Sequence, residues 1–174
     1  MKELILGGVR SGKSRLAASR AHASGRAVTV IATASAGDDE EMQRRIAEHR
    51  AQRPPEWGVV EEPVALARTL REHATADRCI VVECVTLWLS QLLFSARSAA
   101  LDEERSALIQ AIPELPGVVI FVSNEINLGV HPMGETPRRF CDEAGRTHQM
   151  IGALCDRVTF VIAGLPWTLK GPSP

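Results

Sequence analysis

The 174-residue sequence contains no tyrosine, and aromatic residues make up only 4% of it. A base-stacking RNA reader or an interface built on aromatic anchors draws on those residues, so both are disfavoured. An excess of either charge is missing as well. Twenty Lys+Arg stand against 21 Asp+Glu, a formal net charge of −1, which leaves no global positive field for a nucleic-acid backbone or an anionic membrane. The four cysteines, Cys79, Cys84, Cys141 and Cys155, fit neither a C-x-x-C pair nor a zinc-ligand spacing and read as free thiols. The longest apolar stretches, such as residues 80–82 and 118–122, fall far short of the roughly 18 residues of a membrane span. Met1-Lys2-Glu3 leads into only three apolar residues before Gly7-Gly8, so no secretory signal is read there. The expectation is a soluble, cytoplasmic protein that acts on small molecules, with no nucleic-acid partner and no membrane span.

What is present is a core. At 45% hydrophobic residues the chain can fill one, and its length is that of a single domain, expected over residues 1–174. Short β-branched runs alternate with longer amphipathic segments, the pattern of a parallel sheet with crossover helices. The runs predict strands over 3–7, 27–32, 57–61, 78–83, 117–123 and 156–162, with a last short one at 168–170. Helices are predicted over 13–23, 38–51, 63–74, 86–94, 102–111 and 137–154. The acidic cluster Asp38-Asp39-Glu40-Glu41 suits the start of the second, and Arg53-Pro54-Pro55 stops it. The fold class expected is α/β, a P-loop NTPase-type three-layer α/β/α arrangement with a mostly parallel sheet.

The P-loop carries that expectation. Gly7-Gly8-Val9-Arg10-Ser11-Gly12-Lys13-Ser14 fits G-x-x-x-x-G-K-[ST] between a predicted strand and a predicted helix. Glycines there let successive backbone N–H groups converge on phosphate oxygens where the positive helix end points; Lys13 neutralises β/γ charge and Ser14 is placed to ligate Mg²⁺. The bland alternative, a tight glycine turn, does not require strand, loop and helix in this order. Such a site also wants a carboxylate near the metal, usually from a buried strand ending beside the loop, and Glu83 closes the run Cys79-Ile80-Val81-Val82. A strand-end glutamate reaching solvent is the other reading of that residue.

Open α/β sheets bind ligands at the carboxyl ends of their strands. Those ends are Gly7 onward, Ala32-Thr33-Ala34-Ser35, Glu83-Cys84 and Ser123-Asn124-Glu125, where hydroxyl, amide and carboxylate groups recur. Asn124 and Glu125 serve equally well as loop caps. In the second predicted helix Met42, Ile46 and His49 follow an i, i+4, i+7 spacing, which puts His49 beside the apolar stripe near the C-terminal end. Spacing alone leaves His49 open between a helix-end histidine set against the dipole and a nucleophilic or phosphate-binding imidazole. Arg44, Arg45, Arg50 and Arg53 around it either draw anions or form a solvated face, and Arg138 and Arg139 are open in the same way. His22, His73, His131 and His148 have no Ser/Asp partner at recognisable spacing and receive no assignment.

Together these pieces resemble the bifunctional adenosylcobinamide kinase / adenosylcobinamide-phosphate guanylyltransferase family of cobalamin biosynthesis, almost end to end from Gly7 to Lys170. The marks are the P-loop with its internal Arg10-Ser11, Ile31-Ala32-Thr33-Ala34, and Arg45-Ile46-x-x-His49-Arg50-x-x-Arg53-Pro54-x-x-Trp57. Glu83-Cys84-Val85-Thr86-Leu87-Trp88-Leu89, Ser123-Asn124-Glu125 and Arg138-Arg139-Phe140-x-Asp142-x-Ala144-Gly145-Arg146 complete the set. Departures occur at Gln91, at residues 126–129 and at residues 131–135, away from the nucleotide motifs.

The resemblance implies two reactions at one nucleotide-dependent site. The γ-phosphate of ATP or GTP passes to the aminopropanol hydroxyl of adenosylcobinamide. A histidine at the position of His49 then attacks the α-phosphate of GTP, expels pyrophosphate and holds GMP until adenosylcobinamide phosphate accepts it. A covalent intermediate divides one difficult displacement into two easier ones, and the adjacent arginines favour the neutral imidazole and stabilise α-phosphate charge. The resemblance carries nucleotide binding over to Gly7, Gly8, Val9, Arg10, Ser11, Gly12, Lys13 and Ser14, to Ala32, Thr33 and Ala34, to Arg50, Ala51, Gln52 and Arg53, and to Glu61 and Glu83. It implies Mg²⁺ at Ser14 and Glu83, a corrinoid substrate, and a homotrimer. Two alternatives stand beside it: a single-function P-loop small-molecule kinase with His49 structural, and a nucleotide-dependent switch or assembly protein. A recombinase-like DNA motor lacks its basic stripe.

Overall fold

The computed structural model describes residues 1–34, 40–51, 53–94, 100–130 and 132–172, the side chains of Met42, Arg45 and His49 excepted. Seven strands form one sheet: β1 (Lys2–Gly7), β2 (Ala27–Ala32), β3 (Gly58–Glu61), β4 (Arg78–Glu83), β5 (Val118–Asn124), β6 (Arg157–Ile162) and β7 (Leu165–Lys170), in the order β3-β2-β4-β5-β1-β6-β7. Every neighbouring pair is parallel except β6 and β7. β7 begins earlier than the short strand expected at 168–170, because Ala163 and Gly164, both at positive φ, turn the chain back immediately after β6. The central strands are continuous apolar runs because both their faces are covered; β5, VVIFVSN, is buried along all but its last residue.

The helices are α1 (Lys13–Ala23), α2 (Glu40–Ala51), α3 (Leu66–His73), α4 (Val85–Phe94), α5 (Leu101–Ala111) and α6 (Glu135–Leu154). α3 starts three residues later than the predicted 63, because the Glu62 carboxylate accepts the N–H groups of Val64 and Ala65 at 2.9 and 2.8 Å and holds them in a turn. Trp88 Nε1 donates to the Val64 carbonyl at 2.8 Å from the other side.

Two cores lie on opposite faces of the sheet. α3, α4, α5 and α6 close one, around Trp88, Phe121 and Leu92. α1 closes the other through Ala17 and Ala21, whose small side chains let the helix sit close over Ile5, Val81 and Ile120. Cys79 and Cys155 are buried free thiols, while Cys84 and Cys141 are half-buried. Burial pushes the Cys155 thiol up to about 12. Among the described residues no helix is long and apolar enough to cross a membrane.

Candidate functional site

The site is built where β1 ends. Gly12, at φ 103°, turns the chain into α1, and Leu16 N–H donates to the Gly12 carbonyl at 3.0 Å. Within the loop Ser11 N–H donates to the Gly8 carbonyl at 3.2 Å, and Arg10 takes a positive φ of 56°. The loop is also held from outside. Gly164 N–H, in the β6–β7 turn, donates to the Ser11 carbonyl at 2.8 Å, and a Cβ on Gly12 would stand 3.2 Å from the Gly164 Cα. At Gly7 a Cβ would meet the Val161 carbonyl oxygen at 2.5 Å, so only glycine lets β1 leave the sheet this close to β6.

Lys13 is the buried cation of the site, 7% exposed. Its Nζ donates to the Gly8 carbonyl at 2.5 Å, closing the loop on itself. Burial pulls its pKa below the usual lysine value, opposed by the nearby Cys84 sulfur. The Ser11 hydroxyl is buried in the same loop with no hydrogen-bond partner. A buried polar group without a partner is costly, and it is expected where a ligand completes the set.

The carboxylate strand is not the neighbour of the P-loop strand. β5 lies between β1 and β4, so Glu83 stands two strand spacings from Gly7, about 10 Å across the sheet, and Asn124 ends the strand between them, in register with Gly7. Glu125 N–H continues that ladder to the Gly7 carbonyl at 2.9 Å. Glu83 Oε2 accepts from Arg53 Nη2 at 2.7 Å, while Arg53 Nη1 is buried without a partner. Arg50 pairs with Glu61 at the end of β3. Two arginines from the end of α2 and the turn after it therefore face carboxylates at the sheet edge. Arg44 is exposed on α2, and Arg138 and Arg139 are exposed in the first turns of α6.

Thr33 follows β2 directly. Its N–H donates to the Glu83 carbonyl at 2.8 Å, and its hydroxyl bonds to the Cys84 carbonyl and accepts from Cys84 N–H, both at 2.8 Å. It thus locks the ends of β2 and β4 together beside Ala32 and Ala34. Ser14 is half-buried in the first turn of α1. His49 lies in the last turn of α2, next to Arg50 and Ala51; its side chain and the whole of Gln52 lie outside the described residues.

Sequence reasoning gave His148 no partner, and the structure supplies one. Its Nε2 and Ser123 Oγ are 2.7 Å apart, both residues buried, linking α6 to the end of β5. Burial holds the imidazole pKa below the usual histidine value, with Glu125 opposing. The two residues lie 25 positions apart on different elements, so no spacing rule reports the pair. Glu125 serves as a loop cap, one of its two anticipated roles: its Oε1 accepts Asn127 N–H at 2.5 Å. The β6–β7 turn under the P-loop was missed too, although Ala163-Gly164 ahead of Leu165-Pro166 is a readable turn signal.

A family model described as cobinamide kinase / cobinamide phosphate guanyltransferase matches residues 3–169. The chain is 60% identical over 171 residues to the bifunctional adenosylcobalamin biosynthesis protein CobP of Pseudomonas aeruginosa, covering 98% of each. It is 34% identical over 183 residues to the bifunctional adenosylcobalamin biosynthesis protein CobU of Escherichia coli, covering 98% of this chain and 100% of that one. Among solved structures, a prototypical ATPase from the type III secretion system superposes with a TM-score of 0.52 at 13% identity, covering 96% of this chain and 56% of that chain. At that identity the likeness concerns the fold alone, a mostly parallel α/β sheet flanked by helices.

Proposed function

Because the chain belongs to the cobinamide kinase / cobinamide phosphate guanyltransferase family, we propose that one P-loop site serves both of its reactions and that His49 carries GMP between them. The protein is a bifunctional transferase of cobalamin biosynthesis, a kinase toward adenosylcobinamide and a guanylyltransferase toward the phosphorylated product. In the first reaction the acceptor hydroxyl attacks the γ-phosphorus of ATP or GTP, its proton leaves, and the nucleoside diphosphate departs. In the second, a neutral His49 nitrogen attacks the α-phosphorus of GTP and pyrophosphate departs. The corrinoid phosphate then attacks the same phosphorus, freeing His49 and yielding adenosylcobinamide-GDP.

The observation that carries nucleotide binding is the state of the loop itself. The buried Ser11 hydroxyl lacks a partner, and Lys13 is turned onto the Gly8 carbonyl. Triphosphate oxygens would satisfy the first and draw the second away, with amides of residues 7–14 converging on them. Arg53, with one guanidinium nitrogen buried and unpaired, is suited to bear on the α-phosphate; Arg50, Ala51 and Glu61 would line the same side, with Ala32, Thr33 and Ala34 at the adjacent strand end.

The donors present fit Mg²⁺ brought in on the nucleotide. Ser14 and Glu83 are hard oxygen ligands, and among the described residues no group of three or more His, Cys, Asp or Glu makes a protein-only cage. Bound there, the ion would neutralise charge developing on the phosphate oxygens. Glu83 is meanwhile oriented by Arg53.

The single-domain reading of residues 1–174 rests on the one sheet that runs from β1 to β7. The homotrimer is supported by the outer edge strand β7, which pairs with β6 on one side only and leaves Leu165, Trp167 and Leu169 72%, 63% and 52% exposed, an apolar row at the end of the sheet. A single monomer mass in sedimentation at working concentration, with both activities intact, would remove it.

The decisive test of the transfer step is incubation with Mg²⁺ and α-phosphate-labelled GTP, followed by denaturation and acid treatment. Acid-labile, base-stable label on the wild-type protein and none on His49→Ala is the expected result. Label retained in the variant would place the carrier on another nucleophile, and label absent from both proteins would mean transfer without a guanylyl-enzyme; either result removes His49 as carrier.

A further inference from the structure

We infer that the corrinoid acceptor docks in the cleft between the loop of residues 126–130 and the outer face of α6, an assignment that rests on the functional reading above. This cleft has a volume of about 460 Å³. It begins where the P-loop's neighbouring strand ends: Asn124 is in register with Gly7, Glu125 N–H bonds to the Gly7 carbonyl, and Asn127 N–H is held by the Glu125 carboxylate. A ligand in the cleft therefore lies beside the edge at which the P-loop would present phosphate.

The lining suits this acceptor chemically. A corrinoid is a largely apolar macrocycle edged with carboxamide arms, one of them extended by the aminopropanol that carries the reacting hydroxyl. Asp142, Arg146 and Gln149 line the cleft from one face of α6 at i, i+4, i+7 spacing, with Asn127 opposite, and all four are exposed. Amide, carboxylate and guanidinium groups pair with both the carbonyl and the N–H₂ ends of carboxamides. Gly145 lies between them, and a Cβ there would stand 2.8 Å from Asn127 Nδ2, so the Asn127 amide reaches over the helix where a larger residue would push it aside. Leu128 and Val130 of this loop, and Met133 ahead of α6, are 76%, 98% and 90% exposed. A polar lining beside an uncovered apolar loop matches a macrocycle with an apolar body and an amide fringe.

The back of the α6 face is fixed. His148 and Thr147 are buried, and His148 is tied to Ser123 on β5. The α6 residues that line the cleft are thus carried by a helix anchored to the strand that ends beside the P-loop.

The test uses the full-length enzyme and measures adenosylcobinamide binding by equilibrium dialysis, steady-state KM for adenosylcobinamide and for GTP, and labelling by GTP without acceptor. Arg146→Ala and Gln149→Ala, both at exposed positions, are expected to weaken corrinoid binding and raise its KM about tenfold or more. GTP KM and labelling should stay at wild-type values. Leu128→Asp should act in the same direction through the loop. Unchanged corrinoid affinity in all three variants would overturn the assignment, as would equal changes in corrinoid and GTP affinity or a change in oligomeric mass alone. If the wild-type enzyme phosphorylated no corrinoid, the functional reading would fail, and dialysis of the variants would still decide the seat.

Discussion

Arg53 Nη2 and Glu83 Oε2 are 2.7 Å apart, with side-chain exposures of 14% and 17%. The bond ties the turn after α2 to the carboxyl end of β4, and so joins the helix that carries His49 to the strand end proposed to face the nucleotide's metal. Removing one partner leaves a poorly solvated charge behind. Arg53→Ala is expected to cost about 1–3 kcal/mol, between the values for exposed and fully buried pairs. Urea denaturation of Arg53→Ala, Glu83→Gln and the double variant measures the coupling; strict additivity would mean that the pair carries no interaction energy.

Lys13 carries two expectations. Lys13→Ala should lower kinase turnover about 10²–10³-fold, the usual loss for one preorganised donor to transition-state charge. Burial depresses its pKa, opposed by Cys84. The alkaline limb of the kinase pH profile should therefore begin below the free lysine value of about 10.4. For stability the sign is the reverse of a lysine stabilised by an ion pair. Above the folded-state pKa the unfolded chain still binds the proton that the folded chain has released, so stability rises with pH up to the unfolded value. A Lys13→Met variant should lose that rise in denaturation curves taken across alkaline pH.

Adjacent glycines in the P-loop should respond differently. A Cβ at Gly7 meets the Val161 carbonyl oxygen at 2.5 Å and the Ser11 hydroxyl at 2.7 Å, whereas nothing lies within 4 Å of one at Gly8. Gly7→Ala should destabilise the fold by about 1–3 kcal/mol, the cost of overpacking, and abolish measurable GTP binding. Gly8→Ala should leave stability of the nucleotide-free protein within about 0.5 kcal/mol. Equal melting temperatures for the two variants would refute this account of how β1 leaves the sheet.

His148 predicts acid sensitivity. Its folded-state pKa lies below the usual value because of burial, despite the Glu125 charge. As pH falls below about 6.5 the unfolded chain gains a proton that the folded chain resists, so stability is lost through that window. His148→Gln, which keeps a hydrogen-bonding group beside Ser123, should flatten the loss between neutral pH and pH about 5. An unchanged pH slope would show that other groups govern acid unfolding.

Local order was legible in the residues themselves. The alternation of apolar runs with amphipathic segments specified six strands and six helices within a few residues of their observed ends, since backbone preference and side-chain periodicity act over one or two turns of chain. The P-loop was legible for the same reason: eight consecutive residues from Gly7 to Ser14 contain both the glycine turns and the lysine. α3 began late because the Glu62 side chain, a capping group outside the apolar pattern, captured the first N–H groups.

Partnership between distant residues belonged to the tertiary structure. The insertion of β5 between β1 and β4, the Ser123–His148 bond, the pairing of Arg53 with Glu83 and the turn at Gly164 under Ser11 each join segments far apart in the chain. No local pattern encodes such a pair, because which strand lies beside which is set by how all the apolar faces are buried at once. The sequence by itself determined that a phosphate-binding loop would form between a strand and a helix. Only the packed sheet decided which side chains meet beside it.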